Sequence, residues 1–418
     1  MVPHSSATTK AEQDPSKQPQ VTFIGINYQP EPTGIGPYTS GMAEGLTSRG
    51  WVTRVITGYP HYPWWRVPAE YKTLPKREAS TGVNLSRVRH FIPKRHNALT
   101  RALHEVTFGI RALFSRWGHP DIVVLVSPAL LASSLVALRA RLHRTPVVTW
   151  VQDIYSLGVK EAGSGAGAGI VSRIERQLAQ NSRRVVVIHN RFQRTFVDAL
   201  NVTAPIDVVR NWSHIPDLVA IATAETRASL GWNADDIIVL HAGNMGAKQG
   251  LENVVLASQL ARDHGSRVRF VLMGDGNTRA ELQAMGSNDH LQFIPPLPDH
   301  EFYAALTSAD ILLVNERPGL TEMSVPSKLT TYFATGLPVL AAVDESSTTY
   351  EEVNAAGAGP IVPAGDPAAL LSAAEDLGAD REQAQRMGLS GRRFREEHLS
   401  ESAAIDSFER SLRKALSL

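Results

Sequence analysis

Short β-branched runs alternate with helical patterns along this chain, and the alternation begins twice. In the first half the spacing predicts strands over 21–26, 52–57, 122–127, 146–151 and 185–188, with helices over 38–49 and 130–142. In the second it predicts strands over 237–242, 268–273, 291–294, 311–314 and 339–342, with helices over 251–263 and 279–285. Strands separated by helices pair in parallel, because a tight turn connects only antiparallel neighbours. The fold class is therefore α/β, with two doubly wound domains. A length of 418 residues is too great for one ordinary core, which agrees. The domains are placed at 20–213 and 214–400, with a linker near 211–217 that contains Trp212 and Pro216. Residues 1–19 are polar and read as a disordered tail. Residues 401–418 form a helix with Ile405, Phe408, Leu412 and Leu416 on one stripe, either closing the second domain or packing back on the first.

The first predicted strand runs into INYQPEPTGIGPYTSG, residues 26–41. Its glycines suggest a dinucleotide-binding turn, but Thr39 stands where that turn needs a third glycine. The second strand then enters Gly58-Tyr59-Pro60 with no carboxylate to hold a ribose. An NAD site is excluded. Absence of cysteine likewise excludes a disulfide scaffold, a thiolate metal site and a cysteine nucleophile. A net charge of +1 argues against nucleic acid as a partner. The longest apolar stretch, 122–138, is broken by Pro128 and is too short to span a bilayer, so a cytoplasmic place is expected.

Three glycine-rich or helix-opening segments mark the second half. HAGNMGAKQG (241–250) carries Gly243, Gly246 and Lys248 ahead of a helix, a combination suited to phosphate. FVLMGDGN adds Gly274 and Gly276, which suit a nucleotide pocket or simply a tight connection. TEMSVPSKLTTYFATGLPVLAAV (321–343) opens a short helix with Ser327 and Lys328 and closes it at Gly336. A hydroxyl, a lysine and a helix start together suit a diphosphate.

In the first half, VVTWVQDIYSLG places Gln152 and Asp153 at a strand terminus. A carboxylate there suits orientation or deprotonation of an acceptor hydroxyl, or merely caps the next segment. GYPHYPWWRVPAEY (58–71) is dense in aromatics, with His61, Trp64 and Trp65 as candidate acceptor contacts, or else packs on itself. Leu99, Leu103, Val106, Ile110, Leu113 and Trp117 form a stripe near Lys94, Arg95, Arg101, Arg111 and Arg116. That pattern fits an anionic membrane surface, or an ordinary surface helix turned inward. No Asp-x-Asp and no His/Asp/Glu cluster has metal-ligand spacing, so neither metal nor other cofactor is expected.

GNMGAKQGLE, LMGDGN, SVPSKLTTYFATGLPVLAA and QPEPTGIGPYTSGMAEGLTSRGW resemble the large retaining glycosyltransferase family of the GT-B fold. Within it they are most similar to the bacterial exopolysaccharide branch of colanic-acid-type fucosyl- and fucosaminyltransferases. The resemblance covers about residues 21–367. It implies an acceptor-binding first domain and a second domain that binds a nucleotide-sugar donor. It implies donor contacts at Gly34 and Gly36, across a central cleft, and at Gly243, Asn244, Lys248, Gly274, Ser327, Lys328 and Thr331. Asp153, Gln152 and Glu322 take the catalytic places. Asn244 and Gln249 depart from an arginine and a lysine common in the family, and Met323 and Thr331 from a pair of glutamates. The implied activity is metal-independent, hexosyltransferase-type transfer, with retention, to a glycan or lipid-linked acceptor in polysaccharide synthesis. A peripheral place at the inner membrane face would follow from the basic stripe. A sugar-nucleotide epimerase and a non-catalytic sugar-nucleotide-binding subunit are the alternatives.

Overall fold

The computed structural model describes residues 18–32, 34–94, 97–156, 165–212, 224–286, 288–319 and 327–417, with 165–168 and 327 as backbone only. The tail to residue 17, most of the linker and Glu322 lie outside the described residues. The chain divides into two compact units. One runs to Val209 and includes the chain again from Ile405, and the other is Arg210–Ala404.

The first unit contains strands β1 (Gln20–Ile24), β2 (Val52–Gly58), β3 (Arg77–Ser80), β4 (Val83–Val88), β5 (Ile122–Val126), β6 (Val147–Val151), β7 (Arg184–Val187) and β8 (Ile206–Val208). They form one sheet in the order β3-β4-β2-β1-β5-β6-β7-β8. Every pairing is parallel except the β3–β4 hairpin, an antiparallel edge that sequence periodicity does not reveal. Strands β5, β6 and β7 are buried throughout, which explains their unbroken β-branched runs. Helices α1 (Ile35–Ser48), α2 (Ala98–Leu113) and α3 (Leu130–Leu142) lie in the connections. The chain order reverses at β1, which lies between β2 and β5, the usual place for a ligand.

The helix Glu401–Ser417 contributes to the same core from Ile405 onward. Phe408 stacks on Phe23 at 6.1 Å between centroids and meets Trp150 at 4.9 Å. Gly45 of α1 makes room for it, since a Cβ there would come within 2.2 Å of the Ile405 Cδ1. Glu409 accepts from the Trp51 indole at 3.1 Å and pairs with Arg49, and Ser411 donates to Asp207 at 2.6 Å.

The second unit has an all-parallel six-stranded sheet. Its strands are β9 (Ile237–Ala242), β10 (Val268–Met273), β11 (Leu291–Ile294), β12 (Ile311–Asn315), β13 (Val339–Ala342) and β14 (Ile361–Val362), in the order β11-β10-β9-β12-β13-β14. Alternate residues of β9 feed two cores. Ile238, Leu240 and Ala242 join one, and Ile237 and Val239 the other. The order reverses at β9, so its carboxyl end is the switch point of this sheet.

Candidate donor and acceptor sites

At the end of β9 the backbone of Gly243 takes φ +132°, and Gly274 after β10 takes φ +135°, a region open to glycine. The two turns press together backbone to backbone. A Cβ on Gly274 would lie 2.0 Å from the Gly243 carbonyl oxygen, and one on Gly276 would lie 2.2 Å from that of Met245. Both turns are tied by Gly243 N donating to Met273 O and Met245 N to Asp275 O, each at 2.8 Å. Close approach of main chain therefore explains these glycines before any ligand is considered.

Lys328, on the helix Ser327–Thr335, is the cation at this turn. Its Nζ lies 3.9 Å from where a Gly243 Cβ would stand. Burial pulls its pKa down to about 8, partly opposed by the Glu316 carboxylate at the end of β12. His241 beneath it is fully buried and held neutral by burial and by the Lys328 charge. One turn along, the Tyr332 hydroxyl accepts from Ala242 N at 2.9 Å and donates to Ala242 O at 3.3 Å. The phenol thus fixes the helix that carries Lys328 to the strand that ends at Gly243. Tyr332 is a positioning residue that periodicity alone shows only as apolar filling.

The other residues expected at the donor are more scattered. Lys248 and Asn244 are exposed, and Lys248 belongs to a three-residue 3-10 turn, Ala247–Gln249, rather than to the start of an α-helix. The α-helix begins only at Glu252, after Gly250 at φ +53°. Asn315 anchors this turn by donating to Gln249 O at 2.8 Å and Gly250 O at 2.9 Å. Thr331 is buried. The structure therefore brings Gly243, Gly274 and Lys328 together and leaves Lys248 and Asn244 at the rim.

In the first unit the loop after β1 is organised by a buried carboxylate, Glu31. It accepts from His61 N at 2.8 Å, Tyr62 N at 3.0 Å and the Asn27 amide at 2.8 Å. Gly36 is inside α1, where a Cβ would meet the Glu31 Cβ and carbonyl oxygen at 3.2 Å, and a Cβ on Gly34 would meet the Tyr62 ring at 3.1 Å. Here too the glycines serve the packing of their own loop. Tyr62 and Trp64 present their rings to solvent, and Trp65 is half-buried.

His61 corrects the sequence reading. It is 2% exposed and faces inward, so its ring cannot stack on an acceptor sugar in this arrangement. It meets His90 and His104 at 5.1 Å between centroids. Burial, reinforced by His61, pushes His90 down to about 3, and burial also holds His104 at about 4. The spacing of 61, 90 and 104 along the chain gives no hint of this cluster.

At the end of β6, Gln152 is buried and Asp153 is open to solvent at its surface. Packed protein around Asp153 still raises its carboxyl above the ordinary range by desolvation. Two buried acids shape the segment beyond it. Glu175 accepts from Tyr155 N at 2.8 Å and Ser156 N at 3.2 Å. Glu105, raised to about 7 by burial, accepts from Leu131 N at 2.8 Å at the start of α3.

Helix α2 turns His104, Glu105, Phe108, Gly109 and Ala112 inward. Leu99 is 79% exposed and Phe114, just beyond the helix, 81%. Leu103 and Ile110 are also exposed, as are Arg101, Arg111 and Arg116. Trp117 is a correction, since it is buried beneath the Arg139 guanidinium at 4.3 Å. Exposed Leu138 and Leu142 on α3 add to the apolar surface of this unit. No described helix is long and apolar enough to cross a membrane.

Comparison with known proteins gives the same division. Residues 33–212 match the glycosyl transferase 4-like domain, and residues 222–394 match glycosyl transferases group 1. The chain is 31% identical over 334 residues to the putative colanic acid biosynthesis glycosyl transferase WcaI of Escherichia coli K12, covering 76% of this chain and 81% of that one. Sucrose-phosphate synthase from Thermosynechococcus elongatus has a similar fold, with a TM-score of 0.64 at 18% identity over 95% of this chain and 99% of that one. So does HepE of Anabaena solved with UDP, with a TM-score of 0.64 at 14% identity over 94% of this chain and 99% of that one.

Proposed function

Because the chain belongs to the GT-B glycosyl transferase family, we propose that it moves a sugar from a nucleoside diphosphate donor to a glycan or lipid-linked acceptor in exopolysaccharide synthesis. The observation that carries this reading is the Lys328 ammonium beside Gly243 at the switch point of the second sheet. Its counter-ion Glu316 lies at the end of the neighbouring strand, and its helix is pinned by Tyr332. A diphosphate leaving group develops charge as the glycosidic bond breaks, and a preplaced cation stabilises it without reorganisation. Lys328 supplies that cation, with Lys248 at the rim, and no bound metal is required for the step.

In the first domain, Asp153 at the end of β6 orients the acceptor hydroxyl and takes its proton, while Tyr62 and Trp64 offer ring faces to the sugar. Resemblance to the colanic-acid-type enzymes supports a fucose-like donor sugar and retention at its anomeric carbon. UDP in the HepE structure supports a nucleoside diphosphate donor. The outward apolar residues of α2, flanked by Arg101 and Arg111, support a peripheral place on an anionic membrane, where a lipid-linked acceptor resides.

A thermal-shift panel of UDP, GDP, ADP and dTDP with their sugars tests the reading. One diphosphate should raise the melting midpoint, because a ligand that binds only the folded state stabilises it by mass action. Lys328→Ala should abolish that shift and leave the weak nucleoside effect unchanged. No shift with any diphosphate, or equal losses for diphosphate and nucleoside, would refute the role of Lys328.

A further inference from the structure

We infer that His61, His90 and His104 form a site for a divalent, nitrogen-preferring transition-metal ion of the zinc class, within the first domain. This does not depend on the assignment of donor or acceptor. The three residues come from separate elements. His61 follows β2, His90 follows β4 and His104 lies on α2, and one ring nitrogen from each lies within 4.8 Å of the others.

The hydrogen bonds select the ligating form. His61 Nδ1 lies 3.0 Å from Tyr59 O, and His104 Nδ1 lies 2.7 Å from Phe91 O. A carbonyl only accepts, so each Nδ1 carries the proton and each Nε2 is left with a lone pair. His90 is the third. Both of its ring nitrogens are shielded from solvent, and neither makes a well-aligned hydrogen bond, although the Val88 main chain lies close. Gly58 permits this close seating, since a Cβ there would come within 2.6 Å of the His90 Cε1. Buried polar atoms are normally satisfied, so an imidazole of this kind points to a ligand.

Supporting groups fit the same reading. Ligating histidines usually give their other N–H to a carbonyl or carboxylate, which fixes tautomer and orientation. Here the carbonyls of Tyr59 and Phe91 do so, and Glu31 Oε1 lies 3.2 Å from His61 Nδ1 as a buried counter-charge. Three imidazoles favour zinc-like ions over magnesium or calcium, which prefer oxygen. Metal–nitrogen bonds of about 2.0–2.1 Å require modest closure of the three rings. A cavity of about 260 Å³ opens beside His90 and Tyr59, and a water would complete a four-coordinate ion. Trp65 packs against His61 at 6.3 Å and His104 at 5.9 Å, so the ion would set the aromatic loop that carries Tyr62 and Trp64.

The test uses the untagged full-length protein, stripped with dipicolinate, dialysed, and titrated with Zn(II) against a chromophoric chelator. One equivalent should bind, and Co(II) in its place should give the visible bands of a four-coordinate ion. His90→Ala and His104→Ala should each weaken binding by at least about 100-fold, and Glu31→Gln by about 10–100-fold. His264→Ala, at an exposed helix end, should change nothing. Equal binding by wild type, His90→Ala and His104→Ala would overturn the site, as would no stoichiometric binding by wild type. Should a variant not fold, the wild-type protein decides alone. A Zn(II)-dependent rise in its melting midpoint, with one bound ion by mass spectrometry, supports the site, and the absence of both removes it.

Discussion

Each domain carries a glycine pair at the carboxyl edge of its sheet, Gly34 and Gly36 in the first and Gly243 and Gly274 in the second, but they are held differently. In the second domain main chain meets main chain, with Gly274 against Gly243, and the Lys328 ammonium lies beside them. In the first, buried side chains do the holding. Glu31 gathers the loop around Tyr62, Glu175 gathers Tyr155 and Ser156, and three histidines meet beneath the aromatic loop. On the proposed reading, a backbone cradle would accept a donor diphosphate without reference to its sugar. A cradle made of side chains can change from one acceptor to another by substitution, so the first domain is where acceptor choice would diverge.

The comparison breaks most readily at Gly274. Gly274→Ala puts a methyl against the Gly243 carbonyl at a positive φ, with backbone on both sides of the clash. The expected loss is about 3 kcal/mol or more, combining overpacking with left-handed strain. Gly50, at φ +86° with open space around it, should lose only about 1 kcal/mol on the same change. Urea melts of the two variants measure the difference, and equal losses would show that the cradle yields.

Asp153→Asn tests the first domain. Transfer should fall by about 100-fold while the melting midpoint and donor affinity stay unchanged. An early melt would make Asp153 a cap, and undiminished transfer would leave proton removal to another group.

A smaller effect sharpens the role of Lys328. Its amine is held near 8, so it is charged below that pH and loses its proton above it. Diphosphate affinity should therefore be full below pH 8 and fall by up to about tenfold per unit above it. Lys328→Arg should remove this dependence, because guanidinium keeps its charge. The mildest expectation concerns α2. Binding to anionic vesicles should weaken as salt screens Arg101 and Arg111. Salt-independent binding, or none, would return the helix to an ordinary surface.

Much of the second domain was legible in sequence because its strands are short and largely apolar, and most are bounded by a glycine or proline. Strands β9, β10, β11 and β13 lie where periodicity puts them. The β3–β4 hairpin was not legible. Arg77-Glu78-Ala79-Ser80 has no apolar alternation, being an exposed edge whose pairing alone defines it. The sequence suggests an anion site at Ser327-Lys328 but gives no hint of Tyr332 and Asn315, whose work lies in hydrogen bonds to main chain. His61 illustrates the same limit. An aromatic-rich loop suggests exposed rings, and only the tertiary path through β4 and α2 turns one of them inward.

The helix from Glu401 supplies Phe408 to rings at Phe23 and Trp150, although the whole of the other domain intervenes in the chain. During synthesis at about 5–20 residues per second, those rings wait roughly 10–80 s for their cover. The first domain, made before the second, is thus sealed only after it. For that interval the nascent first domain presents an apolar seam to whatever it meets, a period in which a chaperone has more to do than it has for the domain made after it.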